Sequence, residues 1–250
     1  MPLHILLAGE SWETFSIHQK GFDFFTTAFY YEGGGPLRAA LEGAGHTVEY
    51  QPSHIAATRF PTEMAALRAF DVVMLSDIGA NTLLLHPDTF ERSRPMPNRL
   101  TLLREYVRAG GGLIMVGGYM TFQGIDGKAR YAGTAVEEAL PVTLLGGDDR
   151  AELPEGVAAR LDAADHPIAE GLGGDWPLLL GYNRLVTRPE ATLVASVGAD
   201  PLIAAWQYGQ GRAVAFASDC GPHWAPPEFL AWPGYARLWS QMAEWAGGAR

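Results

Sequence analysis

Gly110-Gly111-Gly112-Leu113-Ile114-Met115-Val116-Gly117-Gly118-Tyr119 is the stretch from which the fold can be read outward. Three glycines end whatever precedes them, four apolar residues follow without interruption, and two more glycines break the run. A short apolar run between breakers reads as a strand buried on both faces, the kind found in parallel sheets. Upstream, Pro97–Ala109 has the spacing of an amphipathic helix. Before it, Asp71–Leu75 is a second apolar strand, stopped by Ser76-Asp77, and Pro61–Ala69 reads as a short helix. His46–Gln51 is a strand followed by a Pro/Ser/His loop. Tyr31–Gly45 reads as a helix opened by Gly33–Gly35 and Pro36, with Leu37, Ala40, Leu41 and Ala44 on one face and Gly45 as its stop. Leu3–Ala8, ending at Gly9, is the first strand. Strand and helix thus alternate from Leu3 to Val116. Such alternation predicts an α/β fold with a doubly wound, mostly parallel, flavodoxin-like sheet.

The pattern changes after Ala139. Pro141–Leu145, Ala191–Val197, Pro201–Gln207 and Arg212–Ala217 read as strands joined by tight links such as Gly209-Gln210-Gly211. Antiparallel strands are therefore expected to be added in the C-terminal half, and Pro227–Gly247 is expected as a closing helix anchored by Trp232, Trp239, Met242 and Trp245. The chain reads as one domain over residues 1–250, with 148–175 as a surface excursion. Asp148–Glu170 holds seven acidic residues against Arg150 and Arg160.

The net charge of −10 argues against a nucleic-acid partner, which needs a basic face. The single cysteine, Cys220, excludes an internal disulfide and fits a reducing, cytoplasmic compartment. No basic leader opens the sequence, and no uncharged run is long enough for a membrane helix. His4, His46, His54, His86 and His166 show no pair at metal-ligand spacing. Neither a G-x-G-x-x-G after the first strand nor a Walker loop is present. No metal and no cofactor is expected.

In an open parallel sheet, ligands bind beyond the carboxyl ends of the strands. The residues that follow each strand are therefore the candidates. They are Glu10, Ser11 and Trp12 after the first strand, and Asp77 after the third. Tyr119, Phe122 and Gln123 follow the fourth, and Asp219, Cys220, His223 and Trp224 follow the last. His223 with Asp219 suits a base and its orienting carboxylate, or equally a turn in which Asp219 caps backbone amides. Cys220 reads either as a thiol nucleophile or as an inert core residue. Glu10 is a third acid or a solvated loop charge. His18–Phe25, aromatic and polar, is expected in a long loop serving as a lid or a subunit contact.

Taken in order, Gly9-Glu10-Ser11-Trp12, Lys20-Gly21-Phe22-Asp23, Tyr31-Glu32-Gly33, Gly110–Leu113 running into Gly117-Gly118-Tyr119, Phe122-Gln123-Gly124, His166-Pro167-Ile168 and Ala217-Ser218-Asp219 with Pro222-His223-Trp224 resemble the class I glutamine amidotransferase-like family, near the ThuA-like trehalose-utilisation proteins. The resemblance implies the flavodoxin-like amidotransferase fold. It also implies a glutaminase cysteine in an elbow after a central strand, yet the matching Gly117–Thr121 holds none. The expectation is a protein without the conventional glutaminase triad that binds or processes a small polar ligand. Glu10, Asp219 and His223 would be its acid–base groups, and Ser11, Trp12, Asp77, Tyr119, Phe122, Gln123 and Trp224 would line its site. The alternatives are a hydrolase or amidotransferase using Cys220, and a non-catalytic scaffold; a homo-oligomer is expected.

Overall fold

The structure is a computed structural model that describes residues 1–248. The chain runs through β1 (His4–Gly9), β2 (Ser11–Lys20), β3 (Asp23–Glu32), α1 (Gly35–Gly43), β4 (Thr47–Gln51), α2 (Ser53–Arg59), α3 (Met64–Leu67) and β5 (Val72–Ser76). It continues with α4 (Ala80–Leu84), α5 (Pro87–Arg92), α6 (Arg99–Arg108), β6 (Gly112–Val116), α7 (Ala135–Ala139) and β7 (Val142–Thr143). Strands β8 (Arg150–Val157), β9 (Ala159–Leu161), β10 (Leu179–Asn183), β11 (Val186–Thr187), β12 (Thr192–Val197), β13 (Asp200–Tyr208) and β14 (Gly211–Phe216) precede α8 (Pro227–Leu230) and α9 (Gly234–Ala246).

Eight strands form the main sheet in the order β4-β1-β5-β6-β14-β13-β12-β9. The first five are parallel. Leaving aside the β2–β3 hairpin, their order is the 2-1-3-4-5 of a flavodoxin-like sheet, whose switch point lies between β1 and β5. β13, β12 and β9 then extend the sheet antiparallel. The inner parallel strands β1, β5 and β6 are buried along nearly their whole length because helices cover both faces, while β4 at the edge is partly exposed.

Several local expectations change. His18–Phe25 is no loop: it is the far end of the β2–β3 hairpin, ten residues in each strand, paired from Ser11↔Glu32 to Lys20↔Asp23. Gly21, at φ +64, supplies the first turn position, where a two-residue type II′ turn needs glycine. Tyr31 and Glu32 therefore end a strand, and the helix read over Tyr31–Gly45 is confined to Gly35–Gly43. The Pro/Ser/His loop contains α2. The closing helix is two helices, because Pro233 has no amide hydrogen to continue the first. Pro141–Leu145 shrinks to β7, paired only with β11. Within residues 148–175, β9 is the edge strand of the main sheet and β8 pairs with β10.

Arg99 ties the helices on one face. Its fully buried guanidinium donates to Leu83 O (2.6 Å), Thr82 O (3.0 Å), Ala56 O (3.2 Å) and Ala57 O (3.0 Å). These carbonyls belong to α2 and α4, short helices whose last carbonyls lack internal partners, and whose dipoles favour a cation at that end. Burial lowers the pKa of Arg99 to about 10, still charged at neutral pH. Arg99→Met takes the donor from Leu83 O, Thr82 O and Ala57 O, while Ala56 O keeps the Phe60 amide at 3.1 Å, and is expected to cost roughly 3 kcal/mol or more in a denaturant titration. A loss below about 1 kcal/mol would show that water takes over these carbonyls.

Candidate functional site

The carboxyl ends of the parallel strands line up as the row Gly9, Ser76, Val116, Phe216. The chain turns sharply as it leaves this row. Glu10 (φ 46) and Asp77 (φ 45) both take left-handed backbone, and His223 sits at φ 111. Each such conformation in a non-glycine residue costs on the order of 1–3 kcal/mol and persists only where the surroundings hold it. Around Glu10 the surroundings are explicit. Its amide donates to Ser76 O at 2.8 Å, and its carbonyl accepts from Gly33 N (2.7 Å) and Tyr50 Oη (2.9 Å). Gly9, at φ 111, has no alternative: a Cβ there would lie 1.8 Å from Ser76 O.

This turn drives Glu10 inward. Its side chain is only 3% exposed, beside Asp219 at 4% and a fully buried Cys220. Ser76 Oγ donates to Glu10 Oε1 at 2.6 Å and lies 3.7 Å from Cys220 Sγ. The polar atoms of Glu10, Asp219 and Cys220 all fall within 4.8 Å of one another. Among the described residues this is the one group of His, Cys, Asp and Glu side chains close enough to hold a cation. A cation requires deprotonated ligands, whereas this environment favours protons. Burial, and then the charge of Asp77, raise the Glu10 pKa to about 7. Burial, and then the fields of Glu10 and Asp77, push Asp219 well up. Burial, and then Glu10 and Asp219, push the Cys220 thiol well up. Asp77 is raised by burial, opposed by the Met120 amide, which donates to its Oδ1 at 2.7 Å, and by the charge of His223.

His223 stands at the mouth of this cluster, exposed. Its ring stacks on Tyr119 (5.3 Å, 19°) and tilts against Trp12 (5.7 Å, 42°). Trp12 stacks on Tyr31 of the hairpin, and Arg150 lies over Tyr119 at 4.8 Å. The expected Asp219–His223 pair is not made. Among the described residues the Asp219 side chain accepts from Gly221 N at 3.1 Å, and the carboxyl on which the charge of His223 acts is Asp77. Only three residues lie between Asp219 and His223 in the chain, yet the fold turns the two side chains in different directions.

The other expected residues divide between the site and its supports. Trp224 is buried, tilted against Tyr119, with Nε1 donating to Glu152 at 3.0 Å. Ser11 is bonded to Ser53 through both its side chain and its carbonyl, which fixes the start of α2. Phe122 is core, and the Gln123 side chain accepts from Ala132 N at 2.9 Å. A residue not expected at the site is Asp149. Fully buried, it accepts from Gln123 N and Gly124 N (2.9 Å each) and from Asn183 Nδ2 (2.7 Å). Asn183 in turn accepts from Gly118 N at 2.9 Å. The two residues hold the whole turn that presents Tyr119. In sequence Asp149 is one acid among seven, and nothing in the pattern separates it from its exposed neighbour Asp148.

Residues 4–247 match the family described as "Putative glutamine amidotransferase". The chain belongs to this glutamine amidotransferase-like family. Two solved cytoplasmic proteins of the same fold, one from Salmonella typhimurium and one from Salmonella typhimurium LT2, are 42% and 43% identical. They align over 97% and 98% of this chain and 98% and 99% of theirs, each with a TM-score of 0.94. A ThuA-like protein from Parabacteroides merdae ATCC 43184 shares the fold at 14% identity and TM-score 0.60, over 100% of this chain and 91% of its own. A search of curated proteins found no match. Where the family resemblance implies an elbow cysteine, this member has Gly118-Tyr119, and Gly118 packs so closely that a Cβ would lie 2.9 Å from Asp77 Oδ1. No helix among the described residues is long and apolar enough to cross a membrane.

Two outcomes test these electrostatics. A carboxyl with a raised folded-state pKa keeps a proton that the unfolded chain has released, so its stabilising contribution is complete below about 4.5 and is lost as pH rises through about 7. For Glu10 the full loss is on the order of 3 kcal/mol, and Asp77 and Asp219 act in the same direction. The melting temperature should fall between pH 5 and pH 8, and Glu10→Gln should flatten that fall; equal slopes would contradict the assignment. Separately, Cys220 should ignore iodoacetamide at pH 7 in the folded protein and react once the chain is unfolded in denaturant. Rapid labelling of the native thiol would mean that it ionises.

Proposed function

We propose that the protein binds and processes a small hydroxyl- or amide-bearing metabolite by acid–base chemistry at the carboxyl edge of the sheet, without glutaminase chemistry. The observation that carries this reading is the convergence of Glu10, Asp77 and His223, each held in strained backbone, at the switch point where this architecture places ligands. In this reading, Glu10, with a pKa near 7, is poised to donate a proton to an oxygen of the ligand. His223 accepts a proton from a hydroxyl or from water, and the negative charge of Asp77 stabilises the imidazolium that forms. Trp12 and Tyr119 flank the imidazole and offer faces for the apolar side of the ligand. Gly33 lets the backbone pack directly against Glu10 and Trp12: a Cβ there would lie 2.7 Å from Glu10 Oε2 and 3.1 Å from the Trp12 ring.

The buried, protonated state of Cys220 supports this reading over a thiol nucleophile. Cytoplasmic residence belongs to the same proposal, supported by the names of the two Salmonella relatives and the lone reduced cysteine. The acidic net charge supports a small molecule over nucleic acid or an anionic membrane as its partner.

Thermal-shift screening against sugars, polyols and amino-acid amides, L-glutamine included, should find a stabilising ligand. Its affinity should fall at least tenfold in His223→Ala and in Glu10→Gln, with circular dichroism unchanged, and L-glutamine should release no ammonia. Undiminished affinity in both variants would remove these residues from the site, and ammonia release would restore the glutaminase reading.

A further inference from the structure

Beyond its root, where Trp12 meets His223 and Tyr30 meets His54, the β2–β3 hairpin stands exposed among the described residues. Among the described residues, eight of the fourteen large apolar side chains left exposed lie within it: Phe15, Ile17, Phe22, Phe24, Phe25, Phe29, Tyr30 and Tyr31. Cross-strand partners share a face, so one face carries Phe15, Ile17, Phe24 and Tyr30, and the other Phe25, Phe29 and Tyr31. Phe15, Ile17 and Phe24 are each more than 70% exposed. The two strands form a sheet of their own, so each also has a free hydrogen-bonding edge. A lone two-stranded hairpin is marginally stable in water, and a long, apolar, uncharged edge is a template for pairing with another chain.

We propose that this arm docks on a second copy of the same chain. A lid closing over the neighbouring site would cover one apolar face and leave the other wet, whereas both faces here are apolar. Ten residues per strand make the arm about 34 Å long, and two strands give about 340 Å² on each face. Both faces together approach the ~800 Å² that each partner contributes to a standard stable interface. The one lysine, Lys20, is at the tip opposite Asp23, so the tip is net neutral, while the acids Glu13 and Glu32 are at the root. A two-fold axis that lays the arms antiparallel therefore sets the net-neutral tip of each arm against the acidic root of the other and keeps the two acidic roots apart, in an isologous contact. The root also carries Trp12 and Tyr31, stacked on each other and continuous with His223, so seating the arm fixes one wall of the candidate site.

The test is the solution mass of the full chain at micromolar concentration, by sedimentation or light scattering, for wild type and for the double variant Ile17→Lys, Phe24→Lys. Wild type should show a multiple of the single-chain mass, and the variant should fall to one chain with an unchanged circular-dichroism spectrum. A wild type that sediments as one chain, or a variant that keeps its assembly, overturns the proposal. If the variant fails to fold, hydrogen exchange on wild type decides instead. Arm amides should be protected in proportion to protein concentration, and fast, concentration-independent exchange would refute the contact. None of these readouts depends on whether the acid–base reading of the site holds.

Discussion

The amide of Glu10 donates to the carbonyl of Ser76 across the gap between the first and third parallel strands. Much of the site depends on this bond. It lies at the switch point, where the sheet's connections diverge to opposite sides and leave a crevice. To make the bond, the chain must pass through a glycine at φ 111 and then a left-handed glutamate, and that path turns a carboxyl into the protein instead of toward water. The serine that receives the backbone bond also donates its hydroxyl to the same carboxyl. Backbone strain, burial and the raised proton affinity of Glu10 are thus consequences of one local geometry.

The parallel core could be read from sequence because strands buried on both faces leave long apolar runs, and Leu113–Val116 and Leu3–Ala8 are such runs. The hairpin could not be read from periodicity, because neither of its faces packs on its own chain and no polar–apolar alternation results. The signal available was composition: Thr26, Thr27, Phe24, Phe25, Phe29, Tyr30 and Tyr31 are strand-favouring residues, and a two-residue Gly21-Phe22 turn joins them to the preceding strand. The same lack of alternation hides the helix boundary at Gly35, since Tyr31 and Glu32 belong to that strand.

Within the site, the residues following each strand were identifiable because topology alone brings them to one edge. Their partnerships were not. Asp219 and His223 are close in sequence, but one faces Glu10 in the interior and the other faces two aromatic rings at the surface. Asp149, just ahead of β8, and Asn183, the last residue of β10, hold the Tyr119 turn and meet only once β8 and β10 have paired. Side-chain networks that cross elements leave no spacing rule in a single sequence.

Three carboxyl groups crowded into one largely buried space also bear on calorimetry. Binding that changes the water or charge around Glu10, Asp77 and Asp219 would change how many protons they hold, and those protons would come from or go to the buffer. The heat of ligand binding would then vary with the ionisation enthalpy of the buffer, and the slope of that dependence would count the protons exchanged at the crevice.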